Sequence, residues 1–151
     1  MDKLKKVTQM EKAIEILKEN NYKVTKQRTD LINYLKNFTI YYVSINDIVD
    51  YMRSLYPGMS NNTIYRNLKE FSDIGLVEYQ EKDRTLVKYQ CDFKHRHHHH
   101  FVCKNCGRVT ELKACPIEFF TDQLPGYTVE GHAIEVYGLC ADCTKKLKEQ
   151  E

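Results

Sequence analysis

Residues 60–89 read SNNTIYRNLKEFSDIGLVEYQEKDRTLVKY, and the alternation of faces within this stretch decides the fold. Ser60 can cap a helix running from Asn61 to about Ile74, because its hydroxyl can accept an otherwise unpaired N–H of the first turn. Ile64, Leu68 and Phe71 recur at 0, 4 and 7 and form a buried stripe. Asn61, Asn62, Thr63, Tyr65, Arg66 and Lys69 are left on the other side, and Gly75 follows where helices commonly close in the left-handed conformation. Leu76-Val77-Glu78-Tyr79, the polar turn Glu81-Lys82-Asp83-Arg84 and Leu86-Val87-Lys88-Tyr89 then read as a β-hairpin. A helix followed at once by a two-stranded hairpin describes a winged helix, in which the helix enters the major groove of DNA and the hairpin flanks the backbone. The exposed side chains suit that role, since Arg pairs with guanine, Asn with adenine, and Tyr can contact a thymine methyl.

Three shorter helices are expected upstream. Thr8 can cap the first, with Met10, Ala13, Ile14 and Leu17 on one face. Thr25 can cap the second, carrying Leu31, Ile32 and Leu35, and Ser44 the third, with Ile45, Ile48, Val49, Met52 and Leu55. Pro57-Gly58 ends that third element.

Downstream the chemistry changes. The chain has 151 residues with six Cys and six His, yet residues 1–90 contain neither type. A formal charge of +2 hides a net +3 in residues 1–90 and a net −1 in residues 91–151, so the first part is the better candidate for phosphate contacts. The expected class is α+β: an N-terminal winged-helix DNA-binding domain over 1–90, a hinge at about 88–96, and a small α/β metal-binding dimerisation domain over 91–151. The N-terminal residues Met1-Asp2-Lys3-Leu4-Lys5-Lys6 lack the apolar stretch of a secretory signal, and no apolar run is long enough to span a bilayer. The chain therefore reads as cytoplasmic, where six Cys point to metal ligation rather than to disulfides.

Cys103-x2-Cys106 and Cys140-x2-Cys143 form two knuckles, and four thiolates satisfy tetrahedral zinc with no open position, which makes the site structural. If His97–Val102 is a strand, His97 and His99 point one way and His98 and His100 the other, so one strand can serve two separate metal sites. Cys91 is a soft ligand close to His98 and His100, and Glu78 could complete that sphere. His132, Glu118 and Glu111 are the remaining donors. Cys115 has no partner on this reading and is expected to be a small buried residue.

Pro116–Leu124 can form a short helix, Tyr127–Glu130 and His132–Tyr137 strands, and Ala141–Glu149 a terminal helix. So small a domain has few residues for its own core, which favours a homodimer. A metallohydrolase would need an open coordination position and a general base; no H-E-x-x-H pattern exists, so the chain is not expected to be an enzyme. A zinc-ribbon RNA-binding or adaptor protein is disfavoured by the helix–hairpin order and the lack of an aromatic RNA-binding motif.

Several motifs together resemble the ferric uptake regulator superfamily of bacterial metal-dependent repressors. They are Thr25-x-Gln27-Arg28, Asn62-Thr63-Ile64-Tyr65-Arg66-Asn67-Leu68, the His97–His100 run and both Cys knuckles. Cys91 ahead of the histidines, Cys115-Pro116-Ile117 and Gly131-His132-Ala133-Ile134-Glu135-Val136-Tyr137-Gly138-x-Cys140 make it most similar to zinc uptake regulators of the Gram-positive type. The resemblance implies a structural zinc on Cys103, Cys106, Cys140 and Cys143, and a regulatory site matching Glu78, Cys91, His98 and His100, with His95 and Glu111 as reserve ligands. A further site would match His97, His99, Glu118 and His132. DNA contacts would come from Arg28, Asn61, Asn62, Thr63, Tyr65 and Arg66. The implied protein is a homodimer that uses Zn2+, needs no organic cofactor or membrane, and binds a double-stranded palindromic operator of zinc-uptake genes. The alternatives are iron-, manganese- and peroxide-responsive repressors of the same superfamily. Iron and peroxide sensors usually carry a His before the third helix, whereas this chain has Thr39-Ile40-Tyr41-Tyr42-Val43 there.

Overall fold

The structure, a computed structural model, describes the backbone of residues 2–90, 93 and 97–150, with side chains from residue 9 onward. The chain divides into two compact units, residues 1–93 and 94–151.

The first unit runs α1 (Asp2–Glu19), α2 (Lys26–Leu35), β1 (Val43–Ser44), α3 (Ile45–Leu55), α4 (Asn61–Asp73), β2 (Val77–Tyr79) and β3 (Leu86–Tyr89). Side-chain caps fix three helix starts. Thr25 accepts from the Arg28 N–H at 3.2 Å, Ser44 from Asp47 at 3.1 Å and Ser60 from Thr63 at 3.2 Å, each cap contributing about 1 kcal/mol. Thr8 does not cap: α1 already begins at Asp2 and passes through it, since a single Thr costs less than 1 kcal/mol in a helix interior. At the far end of α4, Gly75 adopts φ +82°. The Leu76 N–H then bonds to the Phe71 carbonyl at 2.8 Å and the Gly75 N–H to that of Ser72 at 3.1 Å, closing the helix and turning the chain directly into β2.

Leu17, Leu31, Ile32, Leu35, Ile48, Met52, Ile64, Leu68 and Phe71 form the core, each at most 1% exposed. The α3 stripe stops at Met52; Leu55 is exposed, because the last turn of that helix runs past the core. One strand was not expected from sequence. Val43 and Ser44 pair antiparallel with Val87 and Leu86, giving a three-stranded sheet in the order β1-β3-β2. Two residues carry no periodicity, so β1 exists only through the distant partner that β3 supplies.

The second unit contains β4 (His99–Cys103), β5 (Val109–Leu112), α5 (Ile117–Thr121), β6 (Glu135–Gly138) and α6 (Ala141–Glu149). Its sheet has the order β5-β4-β6, with β4 antiparallel to β5 and parallel to β6. Relative to the sequence expectation, β4 starts two residues later, residues 127–130 form no strand, and the last strand begins only at Glu135, opposite His100. The helix expected to run to Leu124 ends at Thr121 and continues as turns. Among the described residues of this unit, the buried apolar groups are Cys103, Val109 and Cys143, whereas Phe119 and Tyr127 are 66% and 71% exposed. No helix among the described residues is long and apolar enough to cross a membrane.

Candidate metal centres and nucleic-acid face

The knuckles meet as expected. Cys103 ends β4, Cys140 is the residue before α6, and Cys143 lies in that helix's first turn. The tight turn after Cys106 is made possible by Gly107 at φ +79°. The four sulfurs lie within 4.8 Å of one another, and Cys106 and Cys140 are 3.8 Å apart. Two thiolates bonded at about 2.3 Å to one tetrahedral centre stand about 3.8 Å apart, so the spacing fits zinc. The Cys106 and Cys140 N–H groups pull the Cys103 thiol down to about 6. For Cys106 the Arg108 N–H acts in the same direction but is outweighed by desolvation and by hydrogen bonds with the other three thiols, which push it up to about 11. Four sulfurs in this space cannot all be anionic without a cation among them, which is the condition a structural divalent ion meets. Asn105 Nδ2 donates to Cys143 Sγ at 3.2 Å and orients that sulfur.

A second cluster lies around His99 at the start of β4, and its donors differ from the set expected from sequence. Cys115 Sγ stands 3.4 Å from His97 Nε2, 3.3 Å from His99 Nε2 and 3.3 Å from His132 Nε2, with His99 and His132 also 3.3 Å apart. Bonds of about 2.0–2.3 Å to a tetrahedral centre place ligand atoms about 3.3–3.8 Å apart, so one zinc fits among these four donors. Glu118, expected as the fourth ligand, is exposed on α5 and is not among them. Cys115, three residues earlier in the loop after β5, takes that place and is only half-buried rather than a packing residue. The available signal was the lone unassigned thiol itself, since a soft donor beside an incomplete imidazole set is a ligand candidate. Changing Cys115 to Ser should remove the thiolate-to-metal absorption of a Co(II)-loaded site and weaken metal binding there by about 10-fold or more. An unchanged Co(II) spectrum would exclude Cys115 as a ligand.

His98 and His100 face away from that cluster, their rings 4.7 Å apart, with Glu111 Oε1 at 3.9 Å from His98 Nδ1. Glu111 pairs directly with His100 across β4 and β5, which makes the reserve carboxylate a neighbour of both imidazoles. Glu78 lies on β2 of the first unit, its Oε2 3.0 Å from Lys88 Nζ and its Oε1 accepting from Gln90 Nε2 at 3.3 Å. Cys91 and His95 lie outside the described residues. None of the five described cysteines is in a disulfide.

On α4 the groups expected to face DNA divide by commitment. Asn61, Asn62, Tyr65, Arg66 and Lys69 are exposed, while Asn61 Oδ1 accepts from Arg53 Nη2 at 2.6 Å. Thr63 is half-buried, its hydroxyl 2.9 Å from that of Ser60 and so drawn into the cap. Arg28 is occupied inside the protein. Its guanidinium donates to Asn67 Oδ1 at 3.4 Å, to the Lys23 carbonyl at 2.7 Å and to Glu70 at 3.2 Å. These bonds brace α4 against the start of α2.

A winged helix joined to a small unit rich in Cys and His clusters defines a metal-dependent DNA-binding regulator. The sequence profile of the ferric uptake regulator family matches residues 19–137. The chain belongs to this family of metal-responsive transcriptional regulators. The ferric uptake regulation protein of Staphylococcus epidermidis is 40% identical over 135 residues, spanning 89% of this chain and 95% of that protein. Among solved structures, a zinc uptake regulator complexed with zinc and DNA is 25% identical with a TM-score of 0.78, covering 92% of this chain and 95% of that one. The Helicobacter pylori ferric uptake regulator shares the fold, at 20% identity and a TM-score of 0.57 over 89% of this chain and 93% of that one.

Proposed function

We propose that the chain is a zinc-responsive homodimeric repressor that binds palindromic operators of zinc-uptake genes when zinc is held by Glu78, Cys91, His98 and His100. The observation that carries the zinc reading is the Cys115 sulfur among His97, His99 and His132. Thiolate–imidazole spheres favour zinc, whereas iron and manganese regulators can work with imidazole and carboxylate alone. Cys91 would bring a thiolate to the regulatory sphere as well. The likeness to a zinc uptake regulator bound to zinc and DNA supports the same reading.

Glu78 belongs to the first unit and His98 and His100 to the second. Bound zinc supplies a cross-link between donors of the two units. These residues thereby set how the recognition helices of a dimer are held for half-sites about one DNA turn apart. A tenfold preference of zinc for the DNA-competent state, about 1.4 kcal/mol, is within reach of one ligand missing from the other state. The exposed Phe119, Phe120, Tyr127, Val136 and Leu139 offer the apolar surface that a second copy would cover. Tyr65, Arg66, Asn61 and Asn62 would read base edges, with Thr63 at the cap and Arg28 bracing their helix.

The second reading is an iron-responsive repressor, favoured by the 40% identity to proteins named for ferric uptake regulation. Cys91→Ser separates the two. On the zinc reading it shifts the zinc midpoint of operator binding by about tenfold or more and leaves the four-sulfur zinc in place. A variant with unchanged zinc dependence would exclude Cys91 from the sensor.

A further inference from the structure

Lys88 is in an unusual place for a lysine. It lies on β3, the central strand of the wing sheet, and its side chain is 1% exposed. Lysine is almost never fully buried unless paired, and here the partner is Glu78, directly opposite across the β2–β3 ladder with Nζ 3.0 Å from Oε2. Among the described residues the ammonium also contacts the Tyr89 carbonyl at 3.4 Å. A buried ion pair is often no more stabilising than an apolar pair of the same size, so packing of the wing alone does not call for one. What Lys88 does supply is a positive charge against the carboxylate assigned to the metal.

We propose that Lys88 is a resident competitor for Glu78: its ammonium neutralises and holds this carboxylate in the metal-free protein, and its charge sets the free-zinc level at which the regulator responds. The proposal rests on Glu78 being a ligand of the regulatory site. A divalent ion on Glu78 meets a fixed cation a few ångströms away, in surroundings where such repulsion is weakly screened. Removing that charge acts twice in the same direction. The metal-free protein loses the cation paired with a largely buried carboxylate that keeps its hydrogen bond from Gln90, and the metal-bound protein loses a repulsive neighbour. Lys88 is therefore a positioning residue whose loss should tighten zinc binding, whereas a purely structural lysine would weaken it when lost.

The test measures zinc affinity of the regulatory site by chelator competition in full-length protein retaining its knuckle zinc, together with the melting temperature at low free zinc. Lys88→Met is expected to tighten zinc by about tenfold while lowering the melting temperature of the zinc-poor form; Lys88→Arg, which keeps the charge, should stay near the parent value. Should Lys88→Met fail to fold, Lys88→Gln carries the same expectation. Unchanged or weaker zinc binding in the charge-removed variant overturns the proposal. Glu78→Gln distinguishes the two possible failures. If it weakens zinc while Lys88→Met does not tighten it, the competitor role is wrong and the ligand assignment stands. If it leaves zinc affinity unchanged, the ligand assignment itself falls.

Discussion

Cys103→Ser protein is expected to lose the four-sulfur zinc and, with it, the folded state of residues 94–151. Among its described residues the second unit buries few apolar side chains, and two of the three are Cys103 and Cys143 of the four-sulfur cluster. Cys140 and Cys143 tie α6 to the β4 knuckle. Binding of a structural zinc contributes about 10–16 kcal/mol in small zinc domains, more than the whole stability of an ordinary small domain. Replacing one thiolate by a hydroxyl forfeits much of that term. Zinc per chain, hydrogen exchange and sedimentation together should show metal loss, unprotected amides after residue 97 and dissociation to monomers. The first unit has a core of its own running from Ala13 to Tyr89, and its amides should keep their protection. A variant that melts and sediments like the parent would mean that the centre is not structural.

The second large effect belongs to α4. Changing Tyr65 and Arg66 together to Ala should reduce operator affinity by at least about 100-fold, because each base-edge contact contributes about 1–3 kcal/mol and a dimer presents the pair twice. Both side chains are exposed, and the helix is anchored instead by Ile64, Leu68 and Phe71. Stability should therefore change by about 0.5 kcal/mol or less, and zinc content should not change. Gel retention at fixed salt against an unrelated duplex separates lost specificity from lost phosphate attraction. Retained sequence-specific binding would move the recognition surface elsewhere.

What could be read in advance follows from the range of the forces involved. The caps Thr25, Ser44 and Ser60, the stripe Ile64–Leu68–Phe71 and the closing Gly75 are local, so their pattern is written within a few residues. The Cys103–Cys106 and Cys140–Cys143 knuckles were legible because each pair must turn tightly around one ion. β1 was not, since Val43 becomes a strand only by pairing with Val87. The exchange of Glu118 for Cys115 was hidden for a similar reason. Which donor reaches His97, His99 and His132 depends on the path of the loop after β5, and spacing along the chain does not fix that path. Arg28 likewise reads as a cation near the DNA-facing helix, yet Glu70 and the Lys23 carbonyl engage it.

The most direct measurement follows operator binding of the metal-stripped regulator, with the four-sulfur zinc retained, while free Zn(II), Fe(II) and Mn(II) are each raised under buffered, anaerobic control. The zinc account predicts that Zn(II) alone drives operator retention at free concentrations far below those at which iron or manganese act. Equal activation by Fe(II) or Mn(II) at the levels available to a cell would contradict it.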